Sequence, residues 1–314
     1  MKDDINEMKD GDIMRLASID VGTNSCRMLV LDFENDETKV VKKDLEITRL
    51  GEGVDNKRRL SNPAIKRTYL AIKKFLKEIE SLNVSKIRIV GTSALRDVSN
   101  SEKLIDRVLK EFNVNFDIIS GEEEARLNFI ANDYDSCNNL IIDIGGGSTE
   151  FIWKEGDKIL FKSLDMGSVR MTERFIKDPS NKISQIEINK IKSNVKELIL
   201  ENLNPGIGYD KVLGLGGTIT TLAAIDLSLE EYQPEKIESY LLKKKTIVEI
   251  IKSLSNMINI ERQKVKGLQP GRADVIIAGS VVLESIMELF NIDEIMASEY
   301  DLLYGVIFKM REKG

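Results

Sequence analysis

The 314-residue sequence contains no histidine. That absence removes Ser-His-Asp hydrolysis, Cys-His proteolysis, histidine-liganded zinc and phosphohistidine transfer together. Proton transfer must fall to carboxylates, water, lysine or tyrosine, and a carboxylate-rich site is the natural survivor. Cysteine is nearly absent too. Cys26 and Cys137 have no metal-ligand spacing, as in a reduced intracellular protein rather than a disulfide scaffold, so a cytoplasmic location is expected. There are only five prolines, and no proline-rich or low-complexity segment marks a linker. No run approaches the roughly 18 apolar residues of a membrane-spanning helix. The charged start MKDDINEMKDGDIMR lacks the apolar centre of a signal peptide, and its first dozen or so residues read as a frayed polar arm. Neither a membrane nor a nucleic-acid partner is expected, the latter because the net charge is −6 rather than basic. A polyanionic ligand would be repelled by the protein as a whole. Binding one requires local Arg or Lys groups, backbone N–H clusters and a bound cation.

What is present is an ordinary globular composition, long enough for two domains. RLASIDV (15–21) and CRMLVLDF (26–33) read as two strands around a turn at Gly22, with a third strand over 38–48. Ser61, Asn62 and Pro63 open a helix to about 81, with apolar positions at Ile65, Tyr69, Ile72, Phe75, Leu76 and Ile79. KIRIVGTSALRD reads as strand then loop, 101–112 as helix and NFDII as strand. Ser120 and Glu123 form a capping box for a helix to about 132. NLIIDIGGGSTEFIW (139–153) is again strand, glycine turn, strand, followed by a strand near 158–165 and helices near 169–177 and 184–201. YDKVLGLGG enters a third glycine turn that TITTLAAID leaves as a helix. The segment 273–290 reads as a buried helix, EIMAS as a short strand and 301–310 as a closing helix. Alternating strands and helices define an α/β protein.

The sequence also echoes itself. At an offset of 123 residues, IDVGTNSCRMLV (19–30) lies on IDIGGGSTEFIW (142–153), matching the Ile, Asp, first Gly and Ser. A duplicated Asp-Gly hairpin implies two similar lobes facing one another. Glycines let backbone N–H groups approach an anion, and an Asp ending the preceding strand can hold a divalent cation or its waters. Gly22 to Ser25, Gly145 to Ser148 and the turn at Gly216 and Gly217 are therefore candidate phosphate cradles, with Asp20 and Asp143 beside the first two. Asp20 is equally readable as a turn stabiliser. Glu122 and Glu124 are alternative catalytic carboxylates, while Glu123 is the cap. Arg96, after a strand and a loop of small residues, is a candidate anion hook, and a surface ion pair is its bland reading. Arg272 is a candidate contact to a long anionic chain. Glu150, by alternation along its strand, reads as a solvated edge charge, and Lys243 to Lys245 as a solvated helix start.

The three glycine turns resemble the phosphate and adenosine motifs of the superfamily of actin, sugar kinases and heat-shock ATPases. More narrowly, GTSALRD (91–97), SGEEEARLNF (120–129), DIGGGSTE (143–150), DMGSVR (165–170) and GRADVI (271–276) are similar to the exopolyphosphatase and guanosine pentaphosphate phosphatase family. The resemblance runs in order from about residue 16 to 278. It implies two ribonuclease-H-like, actin-like lobes with a cleft between them: 1–123, onto which a helix at about 301–314 packs back, and 124–300. It implies a phosphoanhydride hydrolase acting on polyphosphate or guanosine pentaphosphate with Mg²⁺, or Mn²⁺, and a homodimer. On this pattern Glu124 positions or deprotonates water, and Asp143 and Glu150, with Asp20, hold the cation. Gly22, Thr23, Asn24 and Ser25 cradle phosphate from one lobe and Gly145, Gly146, Gly147 and Ser148 from the other; Arg96 adds positive charge. The chain resembles the short form. It departs from the long enzymes at ASEYDLLYG (297–305) and at Arg27, where those carry a His-containing hairpin. An actin-like kinase would need an acceptor pocket, and a chaperone or filament ATPase would need a client or assembly surface.

Overall fold

The computed structural model describes residues 13–35, 37–132, 139–156, 158–206 and 208–312. The polar arm and Cys137 lie outside the described residues. Strands β1 (Met14–Val21), β2 (Ser25–Glu34) and β3 (Glu37–Ile47) form an antiparallel meander. β4 (Lys86–Gly91) joins β1 in parallel and β5 (Phe116–Ile118) joins β4 in parallel, giving the order β3-β2-β1-β4-β5. β1 is buried from Leu16 to Val21 because helices cover both faces of the sheet. One cover includes α2 (Asn62–Ser81), where Ser61 accepts the Ala64 N–H at 3.2 Å and Pro63 occupies the first turn. Its apolar stripe, with α4 (Glu102–Phe112), packs on Ala17, Ile19, Met28 and Val30. Two single-turn helices, α1 (Val54–Lys57) and α3 (Ser93–Arg96), complete this lobe.

The second sheet repeats the plan. β6 (Asn139–Ile144), β7 (Thr149–Glu155) and β8 (Lys158–Leu164) are an antiparallel meander, to which β9 (Lys211–Leu215) and then β11 (Glu294–Ala297) add in parallel. An extra edge strand, β10 (Leu241–Lys243), pairs antiparallel with β11. The shared order of strand directions makes this a pair of ribonuclease-H-like lobes. On one face of the second sheet lies a large apolar core. Its helices are α6 (Ser168–Phe175), α7 (Gln185–Asn202), α8 (Gly217–Asp226), α10 (Lys244–Ser255) and α12 (Ile276–Leu289), with short α9 (Pro234–Ile237) and α11 (Asn259–Arg262) between them. No helix among the described residues is long and apolar enough to cross a membrane.

Two remaining helices exchange lobes. α5 (Gly121–Asn132) follows β5 of the first sheet but lays Ala125 and Phe129 against Ile141, Ile152 and Leu213 of the second. α13 (Leu302–Glu312) follows β11 of the second sheet but lays Leu303 and Ile307 against Leu16, Leu29 and Leu31 of the first. The two helices cross at Gly305, where a Cβ would stand 2.0 Å from the Leu127 carbonyl oxygen. Only glycine allows that approach.

Local differences from the sequence reading are instructive. Ser120 does cap α5, accepting the Glu123 N–H at 3.1 Å, but the Glu123 carboxylate pairs with Arg88 at 2.8 Å rather than closing the box. A nearby guanidinium offers a charge-assisted bond, which outweighs a second backbone bond. Arg96 ends a helical turn, not a loop. Lys244 does open a helix.

Candidate active site between the lobes

The C-terminal ends of β1, β4, β6 and β9 all point into the crevice between the sheets, the usual ligand position in open α/β folds. The two hairpin turns are built alike. Gly22 N–H donates to Ser25 C=O at 3.0 Å, and Gly145 N–H to Ser148 C=O at 3.0 Å. They meet face to face: a Cβ on Gly146 would lie 2.8 Å from Thr23 Cβ, and one on Gly147 2.6 Å from Ser93 Oγ. The carbonyls of Gly145, Gly146 and Gly147 accept N–H groups of residues 167–170, at the start of α6. A trans peptide points its N–H opposite its C=O, so the amides of Gly146, Gly147 and Ser148 turn away from α6.

A cavity of about 70 Å³ sits at this junction. It is lined by Asp20, Gly22, Thr23, Asn24, Ser25, Glu124, Asp143, Gly145, Gly146, Ser148, Glu150, Gly216, Gly217 and Arg272, nearly the whole set singled out in the sequence. Two members fall outside the lining. Gly147 is turned to the Ser93 contact, and Arg96 stands behind Glu124, donating to it at 2.7 Å and to Ile119 C=O at 3.0 Å. Arg96 is thus a part-buried ion pair rather than an exposed one. It holds one oxygen of Glu124.

Glu124 and Asn128 lie one helical turn apart on α5 and both face the site. Asn128 donates to Asp143 at 2.9 Å. Glu150 pairs across the hairpin with Asp143 and accepts the Ser163 hydroxyl at 2.7 Å. At 1% exposure it is no edge charge: β8 and α5 cover its strand. Burial, with the neighbouring Glu150 charge, pushes the Glu124 carboxyl up to about 8. Burial and Glu124 push Asp143 up to about 7, and burial and Asp143 push Glu150 up to about 7. Burial also raises Asp20, against the pull of Arg27.

Arg27, which sequence reading noted only as a departure, is central. It lies opposite Asp20 in the hairpin, bonds it at 2.5 and 3.0 Å, and pairs with Asp301 at the start of α13. Asp301 also caps α13 through the Leu303 N–H at 3.0 Å. Asn128, Ser93 and Ser168, which sit inside the quoted motifs, were likewise missed. For Ser93 and Asn128, helical spacing from Arg96 and Glu124 was the available signal.

Several groups lack partners among the described residues: Asp20 Oδ1, Asn24 Nδ2 and Asn128 Oδ1 are buried without a hydrogen bond to any of them. Arg272 stacks over Gly217, where a Cβ would meet its Nη1 at 2.0 Å, and its side chain donates to Gln269 at 3.1 Å. Among the described residues no carboxylate pairs with it; burial and the Arg27 charge lower it to about 10. It separates the small cavity from a larger one of about 470 Å³, lined also by Arg27, Lys43, Thr220, Tyr232, Gln269 and Glu299. The site therefore offers unpaired donors and a cation to an anion, and crowded carboxylates to a cation. No three acidic, cysteine or histidine side chains among the described residues converge tightly enough to cage a metal ion alone. Mg²⁺, which takes one or two carboxylates plus waters and substrate oxygens, fits such a set.

Paired ribonuclease-H-like lobes with the strand ends meeting at a shared crevice define an actin-like fold. The chain belongs to the Ppx/GppA phosphatase family, which it matches over residues 29–313. It is 39% identical over 312 residues to a bifunctional 3-dehydroquinate synthase/phosphatase of Fusobacterium nucleatum, covering 93% of this chain but 46% of that protein. It is 30% identical to exopolyphosphatase 2 of Mycobacterium tuberculosis, covering 95% of this chain and 99% of that one. The crystal structure of an exopolyphosphatase from Cytophaga hutchinsonii superposes with a TM-score of 0.86 at 29% identity, covering 96% of this chain and 98% of that one.

Proposed function

We propose that the protein releases the terminal phosphate of inorganic polyphosphate by attack of water. The observation that carries this reading is the convergence of Glu124 and Glu150, both buried, and the part-buried Asp143 on a cavity also walled by two glycine loops and by Arg272, which pairs with no carboxylate among the described residues. Full-length similarity to an exopolyphosphatase of nearly equal size supports it. Arg96 occupies one oxygen of Glu124 and leaves Oε1 for a water molecule. A carboxylate whose proton affinity is raised by burial is a competent base near neutral pH. The amides of the 145–148 loop, Asn24 and Arg272 would bind the phosphoryl oxygens and hold the chain end in line. Asp143 and Glu150, with Asp20 Oδ1 from the first lobe, would hold Mg²⁺ or Mn²⁺. That ion would neutralise charge on the transferring and leaving phosphates. A cytoplasmic homodimer belongs to the same reading, supported by the cysteine usage and the family resemblance.

A second reading, guanosine pentaphosphate hydrolysis, is favoured by the 470 Å³ cavity. Tyr232, Thr220 and Gln269 beside Arg272 could accept a base and ribose beyond the phosphates. Phosphate release from long polyphosphate, tripolyphosphate, guanosine pentaphosphate and ATP, each with Mg²⁺ or Mn²⁺, separates the two. Fastest turnover of long polyphosphate supports the first reading. A preference for guanosine pentaphosphate replaces it with the second, and release from neither class removes both.

A further inference from the structure

The arginine of the motif DMGSVR has no part in the chemistry above, yet it is buried where the lobes meet. Arg170, on α6, is 5% exposed. Its Nε donates to the Gly147 carbonyl at 2.7 Å, within the phosphate loop of its own lobe. Its other nitrogens reach the first lobe. Nη1 bonds Asp55 in α1, and Nη2 bonds Asp97 at 2.5 Å; Asp165 of its own lobe stands 3.4 Å from Nη2. Asp97 caps the end of α3, its N–H donating to Ser93 C=O at 3.0 Å. The residue before it is Arg96, which holds Glu124.

These contacts form one connected path: the 145–148 loop, Arg170, Asp97, the single turn of α3, Arg96 and Glu124. We propose that Arg170 is a positioning residue that keeps the phosphate loop of one lobe in register with the Arg96–Glu124 pair, so that the site is assembled only while the lobes are together. The inference rests on Glu124 as the water-activating group. One helical turn has little stability of its own, so its placement comes from what grips it. The second lobe meets α3 at both ends, through the close approach of the Gly147 backbone to Ser93 and through the bond from Arg170 to Asp97. Separation of the lobes would strip the buried guanidinium of Asp55 and Asp97, a costly loss for a desolvated charge. Arg174, which bonds Asp55 at 2.6 Å, and the Glu173 carboxylate, which accepts the Gly53 N–H at 2.8 Å, add to the same seam. Lysine cannot replace this arginine, because a single ammonium cannot fork to a carbonyl and two separate carboxylates.

The test compares Arg170→Lys, Asp97→Asn and the double variant in steady-state hydrolysis and in small-angle X-ray scattering without substrate. Misplacement of a reacting group by about 1 Å can cost roughly 100-fold, so each single variant should lose roughly 10- to 100-fold in kcat with KM changed less than about threefold. The double variant should lose no more than the worse single one, since both cut one path. The radius of gyration should rise in each variant. A kcat within about twofold of wild type in either single variant, or losses that multiply in the double, overturns the positioning role. Identical scattering curves overturn the dependence on lobe closure. If the wild type releases no phosphate from any substrate, the proposed function fails, and the scattering comparison still decides whether Arg170 holds the lobes together.

Discussion

Arg27 and Glu150 occupy the same place in two copies of one hairpin. Arg27 lies directly across the strands from Asp20, and Glu150 directly across from Asp143. The first copy is thereby neutralised from within, whereas the second presents two carboxylates to each other. Repulsion in the second copy, deepened by Glu124, is what a divalent cation would relieve.

Glu124→Gln keeps the bond to Arg96 possible but removes the carboxylate proposed as the base. Turnover of the preferred substrate should fall roughly 10²- to 10⁴-fold while substrate affinity changes little. Kinetics paired with calorimetric titration check both halves, and wild-type turnover in the variant would sink the assignment.

Metal-free stability should depend on pH with a definite sign. Glu124, Asp143 and Glu150 have folded-state pKa values raised to about 7–8, so the folded state binds their protons more tightly than the unfolded chain does. Stability is then lost as pH climbs from the ordinary carboxyl range, about 4, through those values. Asp55, lowered by Arg174 and Arg170, titrates below this window. Thermal melts in chelator should give a higher Tm at about pH 5.5 than at about pH 8.5, and Mg²⁺ should restore stability chiefly at the higher pH. A Tm that rises with pH in chelator contradicts the arrangement.

Arg27→Gln leaves the buried Asp20 carboxylate without its cation. Breaking such a pair should destabilise the fold by about 3 kcal/mol, and Asp20→Asn in the same chain should recover part of it. Denaturant unfolding of the two variants measures the difference. An effect of Arg27→Gln under about 0.5 kcal/mol would show that the pair is dispensable.

Gly305→Ala probes the crossing of α5 and α13. The new methyl would meet backbone, which cannot rotate aside, so a loss of about 1–3 kcal/mol is expected in spite of alanine's better helix propensity. Neutral or increased stability would mean the helices separate without cost.

Much of this was legible because hairpins and glycine turns are local. The strands around Gly22 and Gly145, the cap at Ser120 and the apolar stripe of α2 follow from neighbouring residues, and their positions agree with the structure. What eluded the sequence depends on partners far along the chain. Glu150 looked solvated because alternation gives a face but not what covers it. The partner of Arg96 was hidden because nothing local announces a carboxylate 28 positions away. Arg27 stood unassigned although its cross-strand partner, Asp20, followed from the hairpin register; its other partner, Asp301, lies 274 residues on. The strand β10 is only three residues long and gave too little pattern to read.

The exchanged helices bear on how the molecule comes apart. A fragment ending near residue 120 would leave Leu16, Leu29 and Leu31 uncovered, because α13 lies at the other end of the chain. A fragment lacking α5 would likewise bare Ile141, Ile152 and Leu213. Each lobe borrows part of its core from the far side of the crevice, so neither is a module that could be cut out or transplanted alone. Unfolding should accordingly be a single cooperative event, with the two lobes melting at one temperature rather than in sequence.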